Sequence, residues 1–469
     1  MQYQDMILEA SDAAVVKNPD KSRTGKFKVR VLQSPAGEMK PEEAIAVEYD
    51  DKKLQESLGE LEKRLLDREG LIALGRTLAL LLLPPQQEGK PTGVRELLHA
   101  SLSQAGVDGG IRMRLRLPPL LGVIPWEYMY VERVGGGNAM DGFLSLDPRA
   151  AIIRHEVLPS PSPLPTLSGD IKMVAVLASG EGLPLLDLSK EKSDLEKVFK
   201  DQAGVQVQFI EEATLDEVQA AVPGAGIFYF AGHGVFTRQM GDIPGTYSGI
   251  GSLALEGETV AADQLGINLR GNGIRLAVLG GCETGRRDAV SVWSGIAPAL
   301  VKAEIPAVVA NQYSIRDICA IAFSRQFYRS LVGGMDIERA VSAGRIAAYN
   351  ADLSGRDWGV PVLYLRATDG RLFEGAADGE VRQTARSAAE VDVDVRVKNV
   401  AEGGLVCGAD VKRMVSGKLK VRVTVSDTVY DEVVGVRIDT LRNGHVSANV
   451  EAQTVGKGGR LTGVKIDNL

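Results

Sequence analysis

From residue 164 to 373 the chain alternates short apolar runs with longer stretches in which apolar residues recur every three or four positions. The runs IKMVAVLAS (171–179), VQVQFI (205–210), IFYFAGHG (227–234), IRLAVLGGCETG (274–285), PAVVANQ (306–312) and PVLYLRA (361–367) predict strands. Runs that are apolar throughout and end in Gly, as at 227–234 and 274–285, suit strands buried on both faces of a parallel sheet. The stretches between them predict helices. Leu195, Val198 and Phe199 share one helical face, and Thr214 with Glu217 makes a capping-box pattern. Further helices are expected through Val292, Ile296 and Leu300, over 320–331 and over 337–348. Such alternation predicts a wound α/β sheet, closed by the strand at 361–367.

Upstream, FKVRVL (27–32) and AIAVEY (44–49) alternate as strands do. Leu54, Leu58, Leu61 and Leu65, then Leu71, Leu74, Leu78 and Leu81, predict two helices separated by Gly70 and stopped by Pro84 and Pro85. Another amphipathic helix is expected over 94–102. IRMRLRL (111–117) predicts a strand with one wet face of arginines, and 145–157 a strand pair. Trp126, Tyr128 and Tyr130 are expected to pack against the sheet in preference to forming an aromatic binding face. The run PSPSPLPTLSGD (159–170) marks a crossing between two halves, with the boundary near Pro163. The segment EGAADGEVRQTARSAAE (374–390) is small, charged and poor in large apolar residues, as a linker or processing site would be.

The tail repeats itself. Residues 391–411 align without gaps on 446–466, an offset of 446 − 391 = 55 residues. Val391, Val395, Val400, Gly403, Gly404 and Gly408 recur as Val446, Val450, Val455, Gly458, Gly459 and Gly463, and 421–439 reads as a shorter third copy. Each copy predicts two strands joined by a tight turn. Their alternation leaves edges to be paired by another chain, so the tail is expected to recruit a partner or gather copies of the protein. The organisation expected is an amino-terminal α/β half (1–163), a wound-sheet domain (164–373), a linker (374–390) and an all-β repeat module (391–469).

Composition narrows the function. Of 469 residues, 44% are hydrophobic and 25% charged, which is ordinary for a globular protein. A net charge of −7 argues against a broad nucleic-acid-binding surface. The longest apolar run, 78–85, is far short of the ~20 residues needed to cross a bilayer. No leader-like basic-then-apolar segment opens the sequence. The three cysteines, Cys282, Cys319 and Cys407, do not make a disulfide framework and fit a reducing compartment, so a cytoplasmic location is expected. The four histidines and three cysteines are too scattered for a zinc site. No metal, cofactor, nucleic acid or membrane is expected.

Two of the apolar runs end in reactive residues. His233 closes the first, and Cys282 follows the second. In an open parallel sheet ligands sit beyond the carboxyl ends of the strands. If the two strands are neighbours, a thiol and an imidazole share one rim and form a nucleophile with its base. A lone cysteine or histidine is usually a packing residue. Two together, both strand-terminal and Gly-flanked, point to catalysis. Cys319 sits beside a predicted helix with no Gly nearby, and Cys407 lies in a repeat, so both read as structural. The backbone N–H groups of Cys282 and Gly234 suit an oxyanion hole.

The motifs FAGHG, LGGCETG, PAVVANQYSIRD and DWGVPVLYLR, with PWEYMY and FLSLDPRAAIIRH before them, resemble the CHAT domain, a group of caspase-like cysteine peptidases related to separase and the metacaspases. The resemblance runs over about 74–373 and leaves out both ends of the chain. The separation 282 − 233 = 49 residues is close to the ~50 between the caspase His and Cys. The resemblance implies a caspase-like wound sheet and cleavage of protein substrates, often in regulated bacterial defence or cell death and switched on by a partner. A non-catalytic scaffold on the same fold and a small-molecule hydrolase are the alternatives. Metacaspases carry an acid two positions before the Cys, where this chain has Gly280, so no charge preference at P1 is implied there. Gln312 and Asp317 fall in the region that shapes the S1 pocket of such peptidases. Asp317 suits either selection of a basic group or a helix cap.

Overall fold

The computed structural model describes residues 2–20, 22–132, 140–154, 170–183, 186–200, 204–240, 247–280, 293–373, 390–397, 405–429, 432–455 and 460–468, with side chains described outside 236–250, 293–294 and most of 390–468. The first part of the chain gives strands β1 (Gln2–Lys17), β2 (Arg23–Gln33) and β3 (Ile45–Asp50), helices α1 (Asp51–Glu62), α2 (Arg68–Leu82) and α3 (Val94–Ala105), β4 (Gly109–Arg116), the short α4 (Pro119–Gly122) and β5 (Ala150–Arg154). Next come β6 (Ile171–Ala178), α5 (Leu188–Phe199), β7 (Val205–Glu211), α6 (Leu215–Ala221), β8 (Ile227–Gly232), β9 (Gly234–Met240), β10 (Tyr247–Leu255) and β11 (Glu258–Ala261). They are followed by α7 (Ala262–Leu269), β12 (Leu276–Gly280), α8 (Trp293–Lys302), β13 (Ala307–Asn311), α9 (Asp317–Val332), α10 (Ile337–Ala351) and β14 (Pro361–Leu365). The tail holds β15 (Glu390–Val397), β16 (Leu405–Val429), β17 (Glu432–Val455) and β18 (Arg460–Asn468).

Eleven strands form one sheet in the order β3-β2-β1-β4-β5-β14-β13-β12-β8-β6-β7. The half from β13 to β7 is parallel throughout. Its inner strands β13, β12, β8 and β6 are largely buried on both faces because helices cover both, whereas the edge strand β7 is half-exposed. In β8, Phe228 and Phe230 enter one apolar layer, and Tyr229 and Ala231 enter the other. That double burial explains why the run is apolar at every position. The capping box at the start of α6 is present, with Thr214 and Glu217 bonded to each other's backbone N–H.

Several expectations need correction. The strand at 361–367 does not close the sheet. It becomes β14, an interior strand antiparallel to β13 and parallel to β5, and so joins the two halves into one sheet. Residues Met1–Ala376 accordingly make one compact unit. Gly70 does not separate the first two helices. Asp67 caps α2 by accepting from Gly70 N–H, and the break falls earlier, where Arg64 takes a left-handed φ of 58°. Over 145–154 the chain forms a 3-10 turn and one strand in place of a strand pair. β1 is a long strand that the weak pattern of the first residues did not announce.

The arginines of β4 have no wet face. β4 lies inside the sheet between β1 and β5, and Arg112 and Arg114 are buried. Arg112 donates to Asp5 at 2.6 Å and to Glu338 at 2.7 Å, while Arg114 donates to the carbonyls of Leu365 and Ala367. Buried cations survive only when so satisfied. The aromatic segment packs as expected. Trp126, Tyr128 and Tyr130 are buried, and Trp126 and Tyr128 donate to the carbonyls of Leu121 and Arg356. Among the described residues no helix is long and apolar enough to cross a membrane.

In the tail, β15, β16, β17 and β18 pair in that order, and every pairing is parallel. Hairpins would have paired antiparallel. The sequence repeat therefore reflects residues stacked in columns, not strands folded back on their neighbours.

Candidate active site

β8 and β12 are parallel neighbours, in register from Leu276 with Ile227 to Gly280 with Ala231. His233 stands two positions after Ala231, and Cys282 two positions after Gly280. Cys282 lies outside the described residues. His233 is half-buried between the end of β8 and the start of β9, and its carbonyl accepts from Ala254 N–H at 2.9 Å. Gly232 is required just before it, since a Cβ there would clash with the Ala178 carbonyl of β6. Gly234 opens β9, opposite Leu253 of β10. β9 and β10 pair antiparallel from Gly234 with Leu253 to Met240 with Tyr247.

A cavity of about 70 Å³ opens at this rim. At ~10–15 Å³ per water it holds roughly five waters, the space of one long side chain. Gly280 of β12, Tyr229 of β8 and Asn311 of β13 line it, with Glu191 and Asp194 from α5 and Asp317 from α9. Its polar lining is therefore dominated by three carboxyl groups. A Cβ on Gly280 would clash with the Tyr229 hydroxyl, which donates to Glu191. A side chain at Gly280 would require Tyr229 to shift, and the carboxyl groups at this rim come from α5 and α9.

Burial pushes the Glu191 carboxyl above its ordinary range. The hydrogen bond from Tyr229 works against that shift, while Asp194 and Asp317 add to it. Lys190 pairs with Asp317 and lies 3.7 Å from Asp194. Asp317 is the first residue of α9 and does not cap it. The cap position is Arg316, which makes no side-chain cap bond. The carboxylate of Asp317 is used at the pocket mouth, where it also favours the helix dipole.

Gln312 turns away from the cavity. Its side-chain amide donates to Glu127 at 2.7 Å, and Asn311 takes its place in the cavity wall. Glu127 is fully buried and also accepts from Arg154 at 2.7 Å and 3.0 Å. Burial pushes its carboxyl up, but the charge and bonds of Arg154 outweigh that and hold it below the ordinary range. The loop between β13 and α9 is pinned in the same way. Arg316 donates to Asp357 from its backbone at 3.0 Å and its side chain at 2.9 Å, and Arg64 donates to the Ser314 carbonyl at 2.7 Å. Cys319 is buried in α9, and burial pushes its thiol up, away from the reactive thiolate form.

Glu191, Asp194, Lys190 and Tyr229 were not singled out from the sequence. A signal existed: Glu191 and Asp194 lie on the same helical face as Leu195 and Val198, and acids on the core-facing side of an amphipathic helix need a reason. Among the described residues no group of three or more His, Cys, Asp or Glu is arranged to hold a metal ion.

The CHAT domain family matches residues 73–365. The chain belongs to the CHAT family. No curated protein matches it in sequence. Among solved structures, the CHAT chain is similar to Saccharomyces cerevisiae separase in its complex with securin, at 15% identity and a TM-score of 0.35, over 68% of this chain and 20% of the separase chain's length. A second structure of the same complex matches at 12% identity and a TM-score of 0.38, over 77% of this chain and 30% of that one. The structure described as pro-sf-caspase-1 matches at 13% identity and a TM-score of 0.28, over 44% of this chain and 94% of that one. The CHAT family suggests a caspase-like cysteine peptidase.

Proposed function

We propose that this chain is a cysteine endopeptidase that hydrolyses protein substrates through His233 and Cys282, and that it cleaves after a basic residue. The observation that carries the reading is the pairing of β8 with β12, the strands that lead to His233 and Cys282, as adjacent parallel strands inside a CHAT domain. The Cys282 thiolate attacks the peptide carbonyl. His233 takes the thiol proton and delivers it to the leaving amine, and water then hydrolyses the thioester. The N–H groups of Cys282 and Gly234 receive the oxyanion, where each donor is worth about 2.7–4 kcal/mol in comparable sites. The family resemblance further supports a role in bacterial defence or cell death under a partner's control.

The charge of the cavity supports a basic P1 side chain. A cation entering it meets Glu191 and Asp194 and competes with Lys190 for Asp317. The Lys190–Asp317 pair is half-exposed, and such pairs contribute only about 0–1 kcal/mol, so a substrate can displace it. Gln312 serves the site by supporting its wall and makes no contact with substrate.

A panel of peptides differing only at P1 tests this reading. Arg and Lys should be preferred. Glu191→Gln should cut kcat/KM for them by about 10- to 100-fold and leave small apolar P1 residues little changed. Lys190→Ala should lower KM for Arg at P1. Since the Glu191 carboxyl is raised, basic P1 binding should strengthen as pH rises through that raised range, where the group ionises, and Glu191→Gln should flatten the dependence. A preference for acidic P1 residues would overturn the assignment of the pocket.

A further inference from the structure

α1 ends in a Schellman turn. Arg64 N–H donates to the Leu61 carbonyl at 3.1 Å, and Leu65 N–H donates to the Glu60 carbonyl at 2.9 Å. That puts Arg64 at the left-handed position of the turn, with a φ of 58°. Glycine is the usual residue there, because a Cβ is strained in that region. Local structure gives no reason for an arginine. Strained residues persist where surrounding contacts hold them, and they gather at functional positions.

The side chain supplies the reason. It reaches a residue 250 positions away, donating to the Ser314 carbonyl at 2.7 Å and the Ser314 hydroxyl at 3.3 Å. It also donates to Asp357 at 3.3 Å. Asp357 is fully buried and accepts from the backbone and the side chain of Arg316 as well. Burial pushes its carboxyl up, but the Arg316 bonds and the charges of Arg356 and Arg64 hold it below its ordinary range. A second tie secures the same corner. Arg356 donates to the Glu62 carbonyl at 3.1 Å and lies over the Tyr313 ring, 5.0 Å from its centroid.

Residues 311–317 form one wall of the acidic cavity, and they divide between two sides. Asn311, Ile315 and Asp317 line the cavity. Gln312, Ser314 and Arg316 are held from outside it, by Glu127, Arg64 and Asp357. The middle hold comes from before residue 73, where the CHAT match begins. We infer that Arg64 is a positioning residue for P1 specificity: its bonds to Ser314 and Asp357 fix the wall that carries Ile315 and Asp317, so the segment before the CHAT match helps to select the substrate. Arg64 itself touches no substrate. Its effect on cleavage rests on the basic-P1 reading above, whereas its effect on the wall does not.

Arg64→Gly tests this, because Gly suits the left-handed turn and the change removes the side-chain strut alone. The melting temperature should hardly move. Hydrogen exchange over 312–316 should quicken by about tenfold or more, while β13 and α9 keep their protection. On the P1 panel, KM for Arg and Lys should rise by about tenfold with kcat little changed, the pattern of lost binding. Small apolar P1 residues should be cleaved as by the parent. Arg64→Lys keeps one donor for the Ser314 carbonyl and should fall between the parent and Arg64→Gly in both readouts. Unchanged exchange over 312–316 in Arg64→Gly overturns the inference. So does a fall in kcat shared by every P1 residue, which marks a merely structural role. A parent without preference for basic P1 residues overturns the pocket reading instead, and the exchange result then decides by itself whether Arg64 holds the wall.

Discussion

Replacing Cys282 by Ala is expected to abolish peptide cleavage, with a loss of at least about 10⁴-fold in kcat. His233→Ala should do the same, and the double variant should be no worse than either alone, because nucleophile and base act as one unit. The melting temperature should hardly move, since His233 is only half-buried and lies between strands, outside the apolar layers. A covalent peptide probe should label the parent chain and not Cys282→Ala. Cleavage retained in Cys282→Ala would sink the dyad. The buried, raised thiol of Cys319 makes it a poor substitute nucleophile.

The largest effect on stability is expected from Glu127→Ala. It leaves the buried Arg154 guanidinium without its carboxylate and removes the acceptor of Gln312. Breaking one side of a buried ion pair costs about 3–5 kcal/mol. Denaturant unfolding measures this, and a loss below about 1 kcal/mol would show that the pair carries no such weight. Gln312→Ala removes one hydrogen bond to a charged group, about 1.5–3 kcal/mol, and should leave P1 preference intact. The pH dependence follows from the sign of the shift. The Glu127 carboxyl is held below its ordinary range in the folded chain. Its contribution is therefore fully present above the unfolded carboxylate range and is lost as the pH falls toward the folded value. Glu127→Gln should remove that part of the acid sensitivity.

Local physics made much of this protein legible in its sequence. The double burial of β8 and β12 shows as unbroken apolar runs, and the cap of α6 shows as Thr214 with Glu217. The flanking glycines mark where the strands end, as Gly232 confirms by its contact with the Ala178 carbonyl. His233 and Cys282 stand out because they follow those ends. The tail's repeat was visible as an offset, because stacked residues share an environment and so share a type.

What the tertiary structure decided is which elements are neighbours. Strand order is a long-range property, and nothing local places β14 inside the sheet and not at its edge. That placement also settles the arginines of β4, whose alternation looks like a wet face until α10 and β1 bring Glu338 and Asp5 to them. The carboxyl groups of Glu191 and Asp194 reach the rim beside Gly280 from α5, far away in sequence, and Tyr229 donates to Glu191 there. In the tail, alternating strands with Gly-rich turns suit hairpins and coils equally, since both bury every second residue. Only the parallel register separates the two. Residues whose role depends on their own strand or cap could be read in order, whereas those that depend on a partner brought from elsewhere in the chain waited for the fold.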